Sequence, residues 1–103
     1  MTGSFDTIWA RITSDLSLGT AIWNWGAARG YTGATFEVKD VERTSITVAG
    51  GNMQMPRRIS KGDFEKLYSV WPDYIEGNYP RFKMRDLSLN VTYIVSIFHF
   101  LNV

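Results

Sequence analysis

Residues 90–103 read NVTYIVSIFHFLNV, a nearly unbroken apolar end interrupted by Thr92, Ser96 and the single histidine, His99. Four readings compete for it: a membrane anchor, a buried strand, a core helix, or the wall of a site built on the histidine. A membrane span needs about 20 predominantly apolar residues, and this run is too short and carries polar groups inside it. As a strand, one face would hold Val91, Tyr93, Val95, Ile97, His99 and Leu101, and the other would mix Thr92, Ile94, Ser96, Phe98 and Phe100. Both faces would be largely apolar, which demands a central strand covered on both sides. As a helix, Val91, Ile94, Val95, Phe98 and Leu101 make one stripe that Tyr93, Ile97 and Phe100 widen, while Ser88, Thr92, Ser96 and His99 fall on one narrow polar strip. The helical period separates polar from apolar better, and Ser88 offers an N-cap. Its β-branched residues oppose this by only a few tenths of a kcal/mol each. The spacing predicts a core helix with the polar strip at the edge where packing meets solvent.

Working outward, the N-terminal end carries a second amphipathic pattern. Phe5, Ile8, Trp9, Ile12 and Leu16 recur at helical spacing behind a Ser4 cap and an Asp6 in the first turn, with an end expected near Leu18-Gly19. The following TAIWNWGAARGYTG (20–33) reads as a helical turn and then a loop, with Gly26, Gly30 and Gly33 marking turns. The period then changes. TFEVKDV and SITVAG are short, β-branched and partly alternating around a polar ERT, as in an antiparallel hairpin. GGN (50–52) supplies a flexible turn before MQMPRRI, whose Pro56 restricts it to an edge. Ser60 is a helix N-cap with Asp63 three residues on, ahead of Phe64, Leu67, Tyr68 and Trp71. Pro72 stops that helix and starts a brief PDYIE segment closed by Gly77. NYPRFKMRD then reads as a loop leading to the last helix. The expectation is one α+β domain over residues 1–103: a small antiparallel sheet of about three strands, from about 35 to 58, packed against N-terminal and C-terminal helices.

The bulk composition bounds the function. The chain has 103 residues, 45% of them hydrophobic and 15% aromatic, with a formal net charge of +1, so it is neither disordered nor broadly basic. It has no cysteine, which removes thiolate chemistry and fits a reducing, cytoplasmic location. The opening MTGSFD shows no basic segment followed by an apolar one, so neither a secretory signal nor a membrane association is expected. Charge is uneven: residues 57–103 hold seven basic and five acidic side chains, against four and five before them.

Few constellations carry chemistry. His99 has hydroxyls but no carboxylate at three- or four-residue spacing, so a Ser96/His99 pair lacks the orienting acid of a triad, and His99 reads as a packed edge residue. Glu37-Val38-Lys39 has the E-x-K form used by magnesium-dependent nucleases, but this short pattern arises often by chance and reads more simply as an exposed, charge-alternating strand. No catalytic residue, metal ligand or cofactor is therefore assigned. The glycines match neither a P-loop nor a dinucleotide fingerprint. Arg57, Arg58 and Lys61 bracket the Ser60 helix start, and Arg81, Lys83 and Arg85 alternate beside Tyr79 and Phe82. If these clusters share a face they would contact phosphates, with Tyr79 or Phe82 stacking on an unpaired base. Trp9, Trp23, Trp25 and Trp71 supply an alternative, a small apolar pocket or an isologous dimer contact.

Residues 57–97 resemble a pattern in small bacterial domains of mobile DNA, such as integron gene-cassette products and regions accompanying restriction-type proteins. The shared features are Ile59-Ser60-Lys61 with Asp63-Phe64, the Trp71 and Tyr74 pair, the basic loop ending near Arg81, and Asn90 with Thr92-Tyr93-Ile94. The resemblance covers about two fifths of the chain. It implies a nucleic-acid context rather than metabolism and carries over no catalytic residue. The leading expectation is a non-catalytic binding module contacting DNA or RNA phosphates. The alternative is a homo-oligomeric protein- or small-ligand-binding domain using the tryptophans, with a metal-dependent nuclease third.

Overall fold

The computed structural model describes residues 5–50 and 55–103. The Ser4 cap and the GGN turn beyond Gly50 lie outside the described residues, as do Met53 and Gln54. Helix α1 (Phe5–Asp15) buries Phe5, Trp9 and Ile12, the stripe its period demands, and ends earlier than Leu18. Among the described residues four antiparallel strands follow in chain order: β1 (Ala21–Gly26), β2 (Gly30–Val41), β3 (Ser45–Ala49) and β4 (Arg57–Ser60). The chain then returns through α2 (Lys61–Tyr68), α3 (Trp71–Ile75), α4 (Arg81–Met84) and α5 (Val91–Phe100).

The fold is thus α+β, with one more strand than expected. The correction falls on TAIWNWGAARGYTG, which is not a helical turn and loop. Ala21–Gly26 is an edge strand, Ala27–Arg29 the turn, and β2 begins at Gly30. Alternation is hidden there because β2 carries Thr32, Gly33 and Ala34 opposite Asn24 alone: Trp23 pairs with Thr35, but Trp25 pairs with Tyr31. Gly33 has φ +89°, which a side chain would resist. Such a bulge bends the strand and leaves polar groups outside the regular ladder.

A second bulge explains the imperfect alternation of TFEVKDV. Val38 pairs with Val48, yet Asp40 pairs with Thr47 and Val41 with Ile46. The extra residue turns Asp40 outward and returns Val41 to the core side. The inward face of the sheet is then Ile22, Phe36, Val38, Ile46, Val48 and Ile59, all buried. The helices cover this face alone; Trp23, Glu37 and Lys39 stand on the open one.

Ser60 caps α2 as its sequence indicates, accepting from the Asp63 N–H at 3.2 Å. Replacing Ser60 by alanine should cost about 1 kcal/mol of unfolding free energy in urea titration; an unchanged midpoint would show the cap to be replaceable by water. Asp63 takes a different partner: its Oδ2 accepts from the Ser88 hydroxyl at 2.8 Å. Pro72 sits in the first turn of α3, and Gly77 closes that segment at φ +83°. The NYPRFKMRD stretch holds the one-turn helix α4, where a loop was expected. No helix among the described residues is long and apolar enough to cross a membrane.

Helix α5 is the centre of the core. Ile94, Val95, Ile97 and Phe98 are fully buried. The Phe98 ring meets Phe64, Tyr68 and Trp71 at centroid separations of 6.0, 6.1 and 5.2 Å. Ser88 is not its N-cap. The preceding residue is Asn90, which makes no side-chain cap bond, while the Ser88 hydroxyl accepts from the Asn90 N–H. The C-terminal end is tied down by Arg11, which donates to the Leu101 carbonyl, and by the Trp71 indole, which donates to the Val103 carbonyl.

Candidate functional site

The polar strip of α5 packs against the β1–β2 hairpin and α4, with Ser96 buried and Thr92 and His99 half-buried. The Ser96 hydroxyl donates to the Thr92 carbonyl at 2.6 Å and accepts from the Trp25 N–H of β1 at 2.9 Å. It thereby satisfies a backbone donor on an edge strand, which would otherwise be left unpaired against the helix. Thr92 accepts from Arg81 Nη2 at 2.7 Å. His99 lies flat on the Trp25 indole, with centroids 3.8 Å apart and planes 4° from parallel, and its Nε2 faces the Tyr31 hydroxyl at 3.1 Å. Among the described residues no carboxylate joins this group, so His99 has no orienting acid. The strip is a seam that fastens α5 to β1 and α4.

Beside this seam lies a cleft of about 760 Å³, within the roughly 300–1,000 Å³ range of small-molecule sites. One wall is the β1–β2 hairpin, with Asn24, Trp25, Gly26, Arg29 and Thr32; the other comes from α3 to α5, with Tyr74, Glu76, Tyr79, Arg81 and Thr92. Tyr74 joins the walls: its phenolic oxygen accepts from the Ala27 N–H at 2.9 Å, which leaves its O–H to donate. Gly26 is buried between them, and a Cβ at this position would sit 3.5 Å from Arg81 Nη1 and 3.6 Å from the Tyr74 oxygen. The absence of a side chain there keeps open the spot on which guanidinium and phenol converge.

Arg81 is the chemical focus. It forms no ion pair among the described residues, whose four pairs are Arg11 with Asp15, Lys39 with Glu37, Arg58 with Glu42 and Lys61 with Asp6. Its Nε is covered and unpartnered, and so is Asn24 Oδ1 in the same cleft. A half-buried guanidinium held by one neutral hydroxyl gives up hydration that no protein charge replaces. An anion seated at Gly26 would supply the missing charge through the Arg81 fork.

The residues named from the sequence divide between this site and other places. Trp25, Tyr79 and Arg81 line the cleft. Asn24, Gly26, Tyr74 and Glu76 were not anticipated; the glycine-rich hairpin was the available signal, since glycine marks close approach of backbone and ligand. The tryptophans do not form one pocket. Trp9 is buried and donates to the Arg43 carbonyl at 2.8 Å, Trp71 packs in the core, and Trp23 is 53% exposed on the open face of the sheet.

The basic residues are also dispersed in their bonding. Arg57 donates to Asn90 Oδ1 at 3.3 Å and lies over the Tyr93 ring. Arg58 pairs with Glu42 at 3.3 Å, and Lys61 with Asp6. Phe82, Lys83 and Arg85 are exposed on α4 and at its end. Glu37 and Lys39 neutralise one another at 2.9 Å on the exposed strand face. Among the described residues, no three His, Asp or Glu side chains are placed to hold a metal ion together.

No protein-family model, curated protein or solved structure matches the chain. The functional reading therefore rests on the site itself.

Proposed function

We propose that the protein is a non-catalytic binding domain whose hairpin cleft takes a small organic anion, a carboxylate or phosphate, on Arg81 and Tyr74. The observation that carries this is the Arg81 guanidinium, enclosed in the cleft without a carboxylate partner and converging with a free phenolic O–H over the bare Gly26. Trp25 and Tyr79 add aromatic lining for the body of the ligand. Calorimetric titration with a panel of small carboxylates and phosphates tests it. Arg81→Gln should weaken the best binder by roughly ten- to a hundredfold, the worth of a charged hydrogen bond. Gly26→Ala should weaken it too while leaving the thermal midpoint nearly unchanged, because the new Cβ makes only ordinary contacts at 3.5 and 3.6 Å. Equal affinity of Arg81→Gln and the parent chain would remove the proposal.

A second reading, phosphate binding on a nucleic acid, is supported by α4 and by the resemblance to mobile-DNA products. Lys83 and Arg85 make no ion pair among the described residues, and Phe82 beside them is 68% exposed. With Arg58 and Lys61 occupied by carboxylates, Arg57, Arg81, Lys83 and Arg85 are left to act. Binding through four phosphate contacts should weaken roughly 10²-fold between 50 and 200 mM salt. No retention on single- or double-stranded DNA or RNA at 50 mM salt would eliminate this reading.

A further inference from the structure

The cleft carries an exposed carboxylate and a covered amide oxygen as well as an unpaired cation. Glu76, the residue that ends α3, lines it and forms no ion pair among the described residues, although Arg29 on the hairpin turn lines the same cleft. The two lips thus present opposite charges that do not neutralise one another. Deeper in, Asn24 Oδ1 is covered and has no donor. An anion alone would answer Arg81 and leave Glu76 and Asn24 as they are. It would also bring a second negative charge toward the Glu76 carboxylate, an arrangement that costs affinity.

We infer that the ligand of this cleft is a zwitterionic aminocarboxylate, a free amino acid or a dipeptide, with its carboxylate on Arg81 and Tyr74 and its ammonium toward Glu76. This rests on the anion seat proposed above and adds the second charge. The ammonium has three N–H donors and no acceptor, so it can serve a carboxylate and a carbonyl oxygen at once, whereas a hydroxyl brings one donor and no charge and a second carboxylate brings no donor. Trp25, Tyr74 and Tyr79 on the same walls favour ligands with an apolar or aromatic side chain. The cleft's 760 Å³ leaves room for the largest of these. The same pairing of unlike charges discriminates against simple acids and simple amines, each of which leaves one protein charge unanswered.

The test is a titration panel on the full chain: the twenty amino acids, dipeptides ending in an aromatic residue, the matched deaminated acids such as 3-phenylpropionate, and the matched amines such as phenethylamine. The expected result is that one or more aminocarboxylates bind at least tenfold more tightly than both of their matched analogues. Glu76→Gln should weaken that ligand about three- to tenfold, as loss of an ion pair at a cleft rim does, and shrink its preference over the deaminated acid. If the deaminated acids bind as tightly as the amino acids and Arg81→Gln weakens both, the inference is overturned while the anion seat stands. If no acid of either kind binds, both are overturned.

Discussion

Phe98→Ala is expected to lower the unfolding free energy by about 3–5 kcal/mol in denaturant titration, the largest effect of any single substitution considered. Phe98 is fully buried and its ring touches three other aromatic rings, contributed by α2 and the start of α3. Removing it takes away the apolar surface that docks α5 on those helices and leaves a void whose rigid walls cannot close. Domains of this size have a total stability of roughly 5–15 kcal/mol, so the variant should be partly unfolded at 37 °C. Phe98→Leu, which keeps most of the volume, should recover a large part of the loss. A loss below about 1 kcal/mol for Phe98→Ala would show that α5 is not the centre of the core.

Ser96→Ala is expected to cost about 1–3 kcal/mol although it removes a single oxygen. The Ser96 hydroxyl is the acceptor for the Trp25 N–H, and alanine leaves that donor covered by the helix with no partner. The penalty is the desolvation of an orphaned amide, which exceeds the net worth of an ordinary hydrogen bond. Amide hydrogen exchange gives a sharper readout: the Trp25 amide should be protected in the parent chain and exchange faster in the variant, with smaller changes at β3. Because Trp25, Asn24 and Gly26 form one wall of the cleft, ligand affinity should fall in the same variant. Unchanged exchange at Trp25 would mean that the seam between α5 and β1 is held some other way.

The same seam shows which features can be read along the chain and which cannot. The helical period of NVTYIVSIFHFLNV identified α5, and three of the four residues expected on its polar strip, Thr92, Ser96 and His99, lie along it, whereas Ser88 precedes the helix and bonds Asp63. Their destination was not legible. A polar strip on an apolar helix usually meets water, and nothing local distinguishes that from a strip meeting the unpaired edge of a strand. His99 illustrates the same point: its partners are an indole and a phenol from the β1–β2 hairpin, some seventy residues earlier, so no neighbour in sequence announces them. The β1–β2 hairpin is not legible locally because Thr32, Gly33 and Ala34 stand opposite Asn24 alone, which interrupts the alternation on which strand recognition depends.

What the sequence by itself determined is the set of elements governed by local geometry: the stripes of α1, α2 and α5, the Ser60 cap, the Pro72 break with its Gly77 closure, the β2–β3 hairpin and the edge position of β4. Each depends on dihedral preferences and on neighbours within a few positions, which one chain segment contains. Only the tertiary structure decided the site. Its members come from residues 24–32, 74–81 and 92, and what unites them is a bulged β1–β2 hairpin, a serine that satisfies the strand edge, and a glycine that lets a guanidinium and a phenol approach one point. The meaning of Arg81 changes for the same reason. In the chain it is one cation of six in two basic clusters; in the fold it is set apart from the others by enclosure, because burial without a counter-charge is a property of surroundings and not of residue type.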